Sequence, residues 1–177
     1  MSSISLAGDT SGTISLAVPA VAGTNTITLP AATGTVMVSG NMPAFSVYRS
    51  SSNQSFSSAT WTKVQLNSEE FDTNNCFDST TNYRFTPTVA GYYQFSGAIA
   101  FSGTVGRTLV SFWKNGAEYK TGIDLSTGVT KLNTSALIYC NGTTDYIELY
   151  GYCVGVSLNF DANQTSTYMT GCLMRAA

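Results

Sequence analysis

The run Ala90-Gly91-Tyr92-Tyr93-Gln94-Phe95-Ser96-Gly97-Ala98-Ile99-Ala100-Phe101 decides the fold. Tyr93, Phe95, Gly97, Ile99 and Phe101 fall on one side of an extended chain. Gln94, Ser96, Ala98 and Ala100 fall on the other, which is the period of a strand with one face in a core. A Pro87-to-Gly91 turn feeds this strand. Downstream, Leu109 to Trp113 reads as a strand that ends in Lys114-Asn115-Gly116, and Asn-Gly is the strongest short hairpin signal. Ala117 to Lys120 is the return strand. Leu132 to Cys140 and Tyr146 to Cys153 flank Asn141-Gly142 and predict a second hairpin. Thr167 to Met174 predicts a closing strand, and no segment reads as a helix. Strands at this spacing predict an all-β sandwich or barrel.

Composition narrows the function. Of 177 residues only 10% are charged, whereas roughly 25% is usual, and the formal net charge is -2. Eight Lys and Arg against ten Asp and Glu give no basic surface, so nucleic acid is excluded as a partner. There is no histidine, which removes a histidine base and imidazole-bound zinc. No Gly-x-Ser-x-Gly elbow and no Ser-x-x-Lys spacing occur. Glu69, Glu70, Asp72 and Asp78 cluster in one polar region and Glu148 stands alone on a strand. Solvated surface accounts for that cluster better than paired catalytic carboxylates. Catalysis and cofactors are therefore not expected. No window approaches the ~18 apolar residues of a membrane span, so membrane insertion is not expected either. Polarity comes from Ser and Thr, about a quarter of the chain. Hydroxyl surfaces desolvate more cheaply than charged ones, which predicts an outside largely buried in an assembly.

The chain divides by composition near residue 42. Residues 1–42 contain no aromatic side chain and one charge, Asp9, while residues 43–177 are dense in aromatics. The first part alternates apolar and small polar residues between Gly and Pro turns. Its apolar positions Ile14, Leu16, Ile27, Leu29 and Val36 cannot build a core alone, which predicts an attachment or trimerisation segment. The start lacks the basic and apolar regions of a secretory signal. Cys76, Cys140, Cys153 and Cys172 are then expected as free, buried thiols. Four Asn-x-Ser/Thr triplets, beginning at Asn53, Asn133, Asn141 and Asn163, match what chance gives in so Asn-, Ser- and Thr-rich a chain.

A family resemblance rests on a series of residues. Pro43-Ala44-Phe45-Ser46-Val47, Val64-Gln65-Leu66-Asn67 with Phe71-Asp72, Tyr83-Arg84-Phe85-Thr86-Pro87 and Ala90-Gly91-Tyr92-Tyr93-Gln94-Phe95 follow in order. Asn115-Gly116, Leu137 to Leu149 through Gly142 and Asp145, and Thr170-Gly171-Cys172-Leu173 complete the series. It resembles the globular head of complement subcomponent q, in the tumour-necrosis-factor-like jelly-roll superfamily. Tyr168 and Met169 precede Gly171 where that family has a Phe. The resemblance implies a ten-stranded jelly-roll sandwich that forms a homotrimer and acts as a recognition head on a stalk. No collagen repeat supplies the stalk. The segment from Ala22 to Val36 instead resembles parts of bacteriophage tail-fibre and other virion proteins. Together these imply a virion protein, a trimeric fibre or tail-tip head for host-surface recognition, assembled in the host cytoplasm and displayed outside the particle. Its partners would be sister subunits, other virion proteins through the N-terminal segment, and a host-surface glycan or protein. Capsid decoration is the alternative, and a secreted complement-head-like module of a cellular organism is another.

Tyr146, Tyr150 and Tyr152 alternate against Ile147, Leu149 and Gly151, so they share a strand face with Glu148. They fit a trimer interface, packing within the domain, or a carbohydrate-stacking surface. Trp61 and Trp113 pose the same question, with packing as the default. Some relatives implied by the resemblance bind calcium, for which Asp72, Asn74 and Asp78 are the oxygen candidates, although their loop is no EF-hand.

Overall fold

The computed structural model describes residues 3–7, 10–21, 23–26, 28, 31, 34, 36–126 and 128–177. The chain forms two compact units, residues 1–34 and 35–177. In the first, β1 (Ser3–Ala7) and β2 (Thr13–Ala17) pair antiparallel. The register sets Ile4 opposite Leu16 and Leu6 opposite Ile14, so four aliphatic side chains share one face. All four are exposed. The opposite face carries Ser5 and Ser15, whose hydroxyls lie 3.1 Å apart.

The larger unit contains β3 (Ala44–Tyr48), β4 (Gln54–Ser55), β5 (Thr62–Lys63), β6 (Ser68–Asp72), β7 (Phe77–Asp78) and β8 (Arg84–Phe85). These are followed by β9 (Gly91–Lys114), β10 (Ala117–Leu125), β11 (Lys131–Cys140), β12 (Ile147–Phe160) and β13 (Tyr168–Ala176). Every pairing between them is antiparallel. A front sheet runs β11-β9-β13-β3-β6 and uses the first half of β9. A back sheet runs β10-β9-β12 and uses the second half, with β4, β5 and β8 against the far side of β12 and β7 against β8. The expected ten strands thus become eleven segments, of which β9 serves both layers. The bend lies at Gly103, whose φ is +106°. A Cβ there would stand 2.4 Å from the Ser157 carbonyl oxygen, so only glycine fits. Two register shifts in β12 accompany the bend.

The alternation in β9 lands as the sequence predicts. Tyr93, Phe95, Ile99 and Phe101 are buried, and the Tyr93 hydroxyl donates to the Val89 carbonyl at 2.7 Å. Gly97 and Gly171 lack side chains because core side chains occupy the space. A Cβ on Gly171 would meet Phe45 at 2.6 Å and Phe95 at 2.7 Å, and one on Gly97 would meet Leu149 at 2.8 Å. Phe45 stacks on Phe85 with centroids 4.4 Å apart. Each such ring is worth roughly 1.5–3 kcal/mol in apolar burial.

The Asn115-Gly116 hairpin joins β9 to β10, with both residues at positive φ, 55° and 80°. The second expected hairpin is different. Asn141-Gly142 connects β11 in the front sheet to β12 in the back sheet, and those strands do not pair. The Asn141 side-chain oxygen accepts the N–H groups of Thr143, Thr144 and Asp145 at 3.0, 2.9 and 3.0 Å. That Asx turn carries the chain across the sandwich. Lys114 ties the two layers at this end. Its Nζ donates to the Tyr139 carbonyl at 2.7 Å and lies 2.9 Å from Asp145.

Candidate functional site

The sandwich presents two outer sheet faces. On the front sheet the register aligns three outward rows. Tyr48, Tyr168, Ala98 and Asn133 form one; Phe71, Ser46, Thr170, Ser96 and Ser135 form the next; Ala44, Cys172, Gln94 and Leu137 form the third. None of these residues is charged. Phe71, Cys172 and Leu137 are exposed, as are Tyr92 and Tyr139, whose rings meet at 5.4 Å beyond the third row. The edge of this face is polar, where Glu70 accepts hydrogen bonds from Ser46 and Gln164 and is held below the usual carboxylate range by them.

The back sheet is built otherwise. Ile147, Leu149 and Gly151 point into the core, and Glu148, Tyr150 and Tyr152 point out, as the alternation predicts. Trp113 stacks on Tyr150 at 4.0 Å and 13°. Trp61, in the loop before β5, contacts Trp113 at 6.2 Å and Tyr152 at 5.5 Å. Four rings therefore form one cluster. Tyr146 lies outside it, with the Arg84 guanidinium 4.2 Å over its ring. Burial, then the neighbouring Glu148, pushes the Tyr150 hydroxyl up to about 12. The Trp113 indole nitrogen is buried without a hydrogen-bond partner, a cost of roughly 1–3 kcal/mol that ring stacking partly offsets.

Charges frame this cluster. Buried Glu148 accepts from Lys63 Nζ at 2.9 Å, and the same ammonium donates to the Asn82 carbonyl at 2.8 Å. Arg107 forks onto Asp124, Nε to Oδ1 at 2.9 Å and Nη2 to Oδ2 at 2.7 Å. That bond holds Asp124 below the usual carboxylate range. Trp61, Arg107, Leu109, Glu118, Thr121 and Tyr152 line a cavity of about 350 Å³. The sequence reading named the tryptophans and tyrosines but missed Lys63, Arg107, Glu118 and Thr121. The Asn115-Gly116 hairpin was the available signal, since it folds β10 back beside β9.

The calcium candidates Asp72, Asn74 and Asp78 all make hydrogen bonds within the chain. Asp72 accepts the N–H groups of Asn74 and Phe77, at 3.3 and 2.6 Å. Asp78 accepts those of Thr81, Thr80 and Asn82, which hold it well below the usual carboxylate range. Asn74 bonds to Thr73 and Gly40. Asp72 and Asp78 anchor their own turns, and Asn74 ties its turn to Gly40. Among the described residues no three His, Cys, Asp or Glu side chains are placed to hold a metal ion. The four cysteines are free thiols; Cys76, Cys140 and Cys153 are buried as expected, whereas Cys172 is exposed because it points outward from β13, and burial pushes Cys140 up to about 12. In the N-terminal unit, Ile14 and Leu16 share their face with Ile4 and Leu6. Ile27 and Leu29 lie outside the described residues, and Val36 is exposed.

No family model and no curated protein matches the chain. Solved structures do. The globular domain of zebrafish complement 1qA protein aligns at 22% identity and a TM-score of 0.55, covering 76% of this chain and 98% of that one. Murine APRIL aligns at 10% identity and 0.54, covering 75% and 99%. The PRD1 vertex protein P5 aligns at 18% identity and 0.51, covering 73% and 70%. These likenesses show the fold, a jelly-roll sandwich like those of the three proteins.

Proposed function

We propose that this chain is a bacteriophage virion protein whose jelly-roll head, residues 43–177, forms a homotrimer and recognises the host surface. The observation that carries the trimer is the uncharged front face. Three cross-strand rows without a single charge, holding exposed Phe71 and Leu137 and bordered by Tyr92, Tyr139 and Arg175 on one side and Lys131 on the other, lose little on desolvation and gain apolar burial. The back-sheet edge strand β10 carries Glu118, Lys120 and Asp124, the charges that keep an edge solvated and unpaired. The front face therefore meets sister subunits and the back face stays open. The likeness to a phage vertex protein supports a virion setting, as does the fibre-like sequence from Ala22 to Val36. The work is binding, not catalysis.

Residues 1–42 attach the head to the particle. A two-stranded hairpin with four exposed aliphatic side chains on one face needs a partner surface. Deleting residues 1–40 leaves a folded trimer that is absent from purified particles, scored by immunoblot. Continued incorporation refutes the attachment role. Capsid decoration is the second reading, favoured by the similarity to a vertex protein in particular. Particles that adsorb to host cells normally without the head would select it.

A further inference from the structure

The cavity on the back-sheet face is lined by the apolar and aromatic side chains of Trp61, Leu109 and Tyr152 and the polar ones of Arg107, Glu118 and Thr121. Its volume of about 350 Å³ lies at the low end of small-ligand sites, roughly 300–1,000 Å³. The Trp61 and Tyr152 rings stand 54° apart in plane, so they offer two faces at an angle. Tyr152 also lies 6.0 Å from the Arg107 guanidinium carbon. The Asp124 fork uses Arg107 Nε and Nη2, and Nη1 takes no part in it. Glu118 accepts the Thr121 hydroxyl on Oε1 at 2.6 Å, which leaves Oε2 to accept from a ligand.

The geometry points to a binding site for a neutral pyranose of a surface glycan. A pyranose has an apolar C–H face that stacks on an aromatic ring and a rim of hydroxyls that both donate and accept. Trp61 and Tyr152 supply the rings, Glu118 Oε2 the acceptor, and Arg107 Nη1 the donor. Charge selects the neutral class. Asp124 cancels Arg107, so Glu118 leaves the cavity net negative and repels uronates and phosphorylated sugars. The site is distinct from the front face and stays accessible in the proposed trimer. It deepens the recognition reading and rests on it only for biological role.

The test uses the full chain, titrated by tryptophan fluorescence and calorimetry with cellotetraose, maltotetraose, mannotetraose, chitotetraose and the acidic tetragalacturonate. At least one neutral tetrasaccharide binds, and tetragalacturonate binds about tenfold or more weakly than it. Trp61→Ala weakens the neutral ligand by about tenfold or more. Glu118→Gln, at an exposed position, narrows the gap between neutral and acidic ligands. Failure of every neutral ligand to bind, or binding unchanged in both variants, overturns the site. A chain that adsorbs to host cells but binds none of these sugars sinks the glycan site and leaves the recognition reading intact. A chain that binds sugar but not cells does the reverse.

Discussion

The two outer faces of one sandwich solve opposite problems. The front face places Ser, Thr, Ala, Gln and Tyr in cross-strand rows with no charge. The back face gathers four aromatic rings and brackets them with Lys63–Glu148 and Arg107–Asp124. Uncharged rows are cheap to remove from water over a wide area. Rings with fixed charges around them are suited to grip a small polar partner and release it to water. The low charge of the whole chain is therefore unevenly spent. It is withheld from the face proposed to pack against sister subunits and kept for the face proposed to bind.

The strongest break in this contrast is a charge on the front face. Ser96→Glu places a carboxylate in the middle of the middle row, where three copies would bury it without partners. The cost is several kcal/mol per subunit, enough to dissociate the trimer at micromolar protein. Thr121→Glu, the same charge on the exposed back face, leaves the assembly unchanged. Sedimentation velocity reads both variants.

Next is the ion pair under the aromatic cluster. Lys63→Ala leaves buried Glu148 without its cation and lowers the unfolding free energy by about 3 kcal/mol, measured by urea titration. Adding Glu148→Leu to that variant restores most of the loss. Neither change alters the subunit count, because both lie behind the back sheet. Thiol labelling sharpens the contrast without mutation. Cys172 is the exposed cysteine of the single chain and sits in a front-face row. Maleimide labels it slowly in the native assembly and quickly once subunits separate, whereas Cys140 stays unlabelled until the chain unfolds.

The smallest effect is in acid. Burial raises Asp145, but hydrogen bonds from Asn115, Lys114 and the Asn141 amide outweigh it and hold the carboxyl low. Asp78 is also held low, by its turn amides. A depressed carboxyl stabilises the fold above its unfolded value near 3.9, and that contribution is lost as pH falls through the folded value. Thermal unfolding midpoints stay flat from pH 7 to about 5 and drop below about pH 4. Asp145→Asn removes part of that drop.

Much of this was legible in the residues. The Tyr93-to-Phe101 alternation fixes which face of β9 is core, since a one-residue slip would invert it. The outward face of Tyr150, Tyr152 and Glu148 follows from the same period. Trp61 was visible only as a residue type, because β5 is two residues long and has no period to orient it. Arg107 and Asp124 meet across a bulged stretch of β9 and β10, where counting by twos fails. The Asn141-Gly142 turn carries a hairpin signal, yet it joins two sheets. Local turn chemistry states that the chain reverses, not which strand it then pairs with.

The proposed subunit interface on the front face is tested most directly by the mass of the full chain in solution. Light scattering after gel filtration at micromolar protein and neutral pH should give three times the 18.7 kDa of one chain. A particle of 18.7 kDa, with Cys172 open to maleimide, would contradict it.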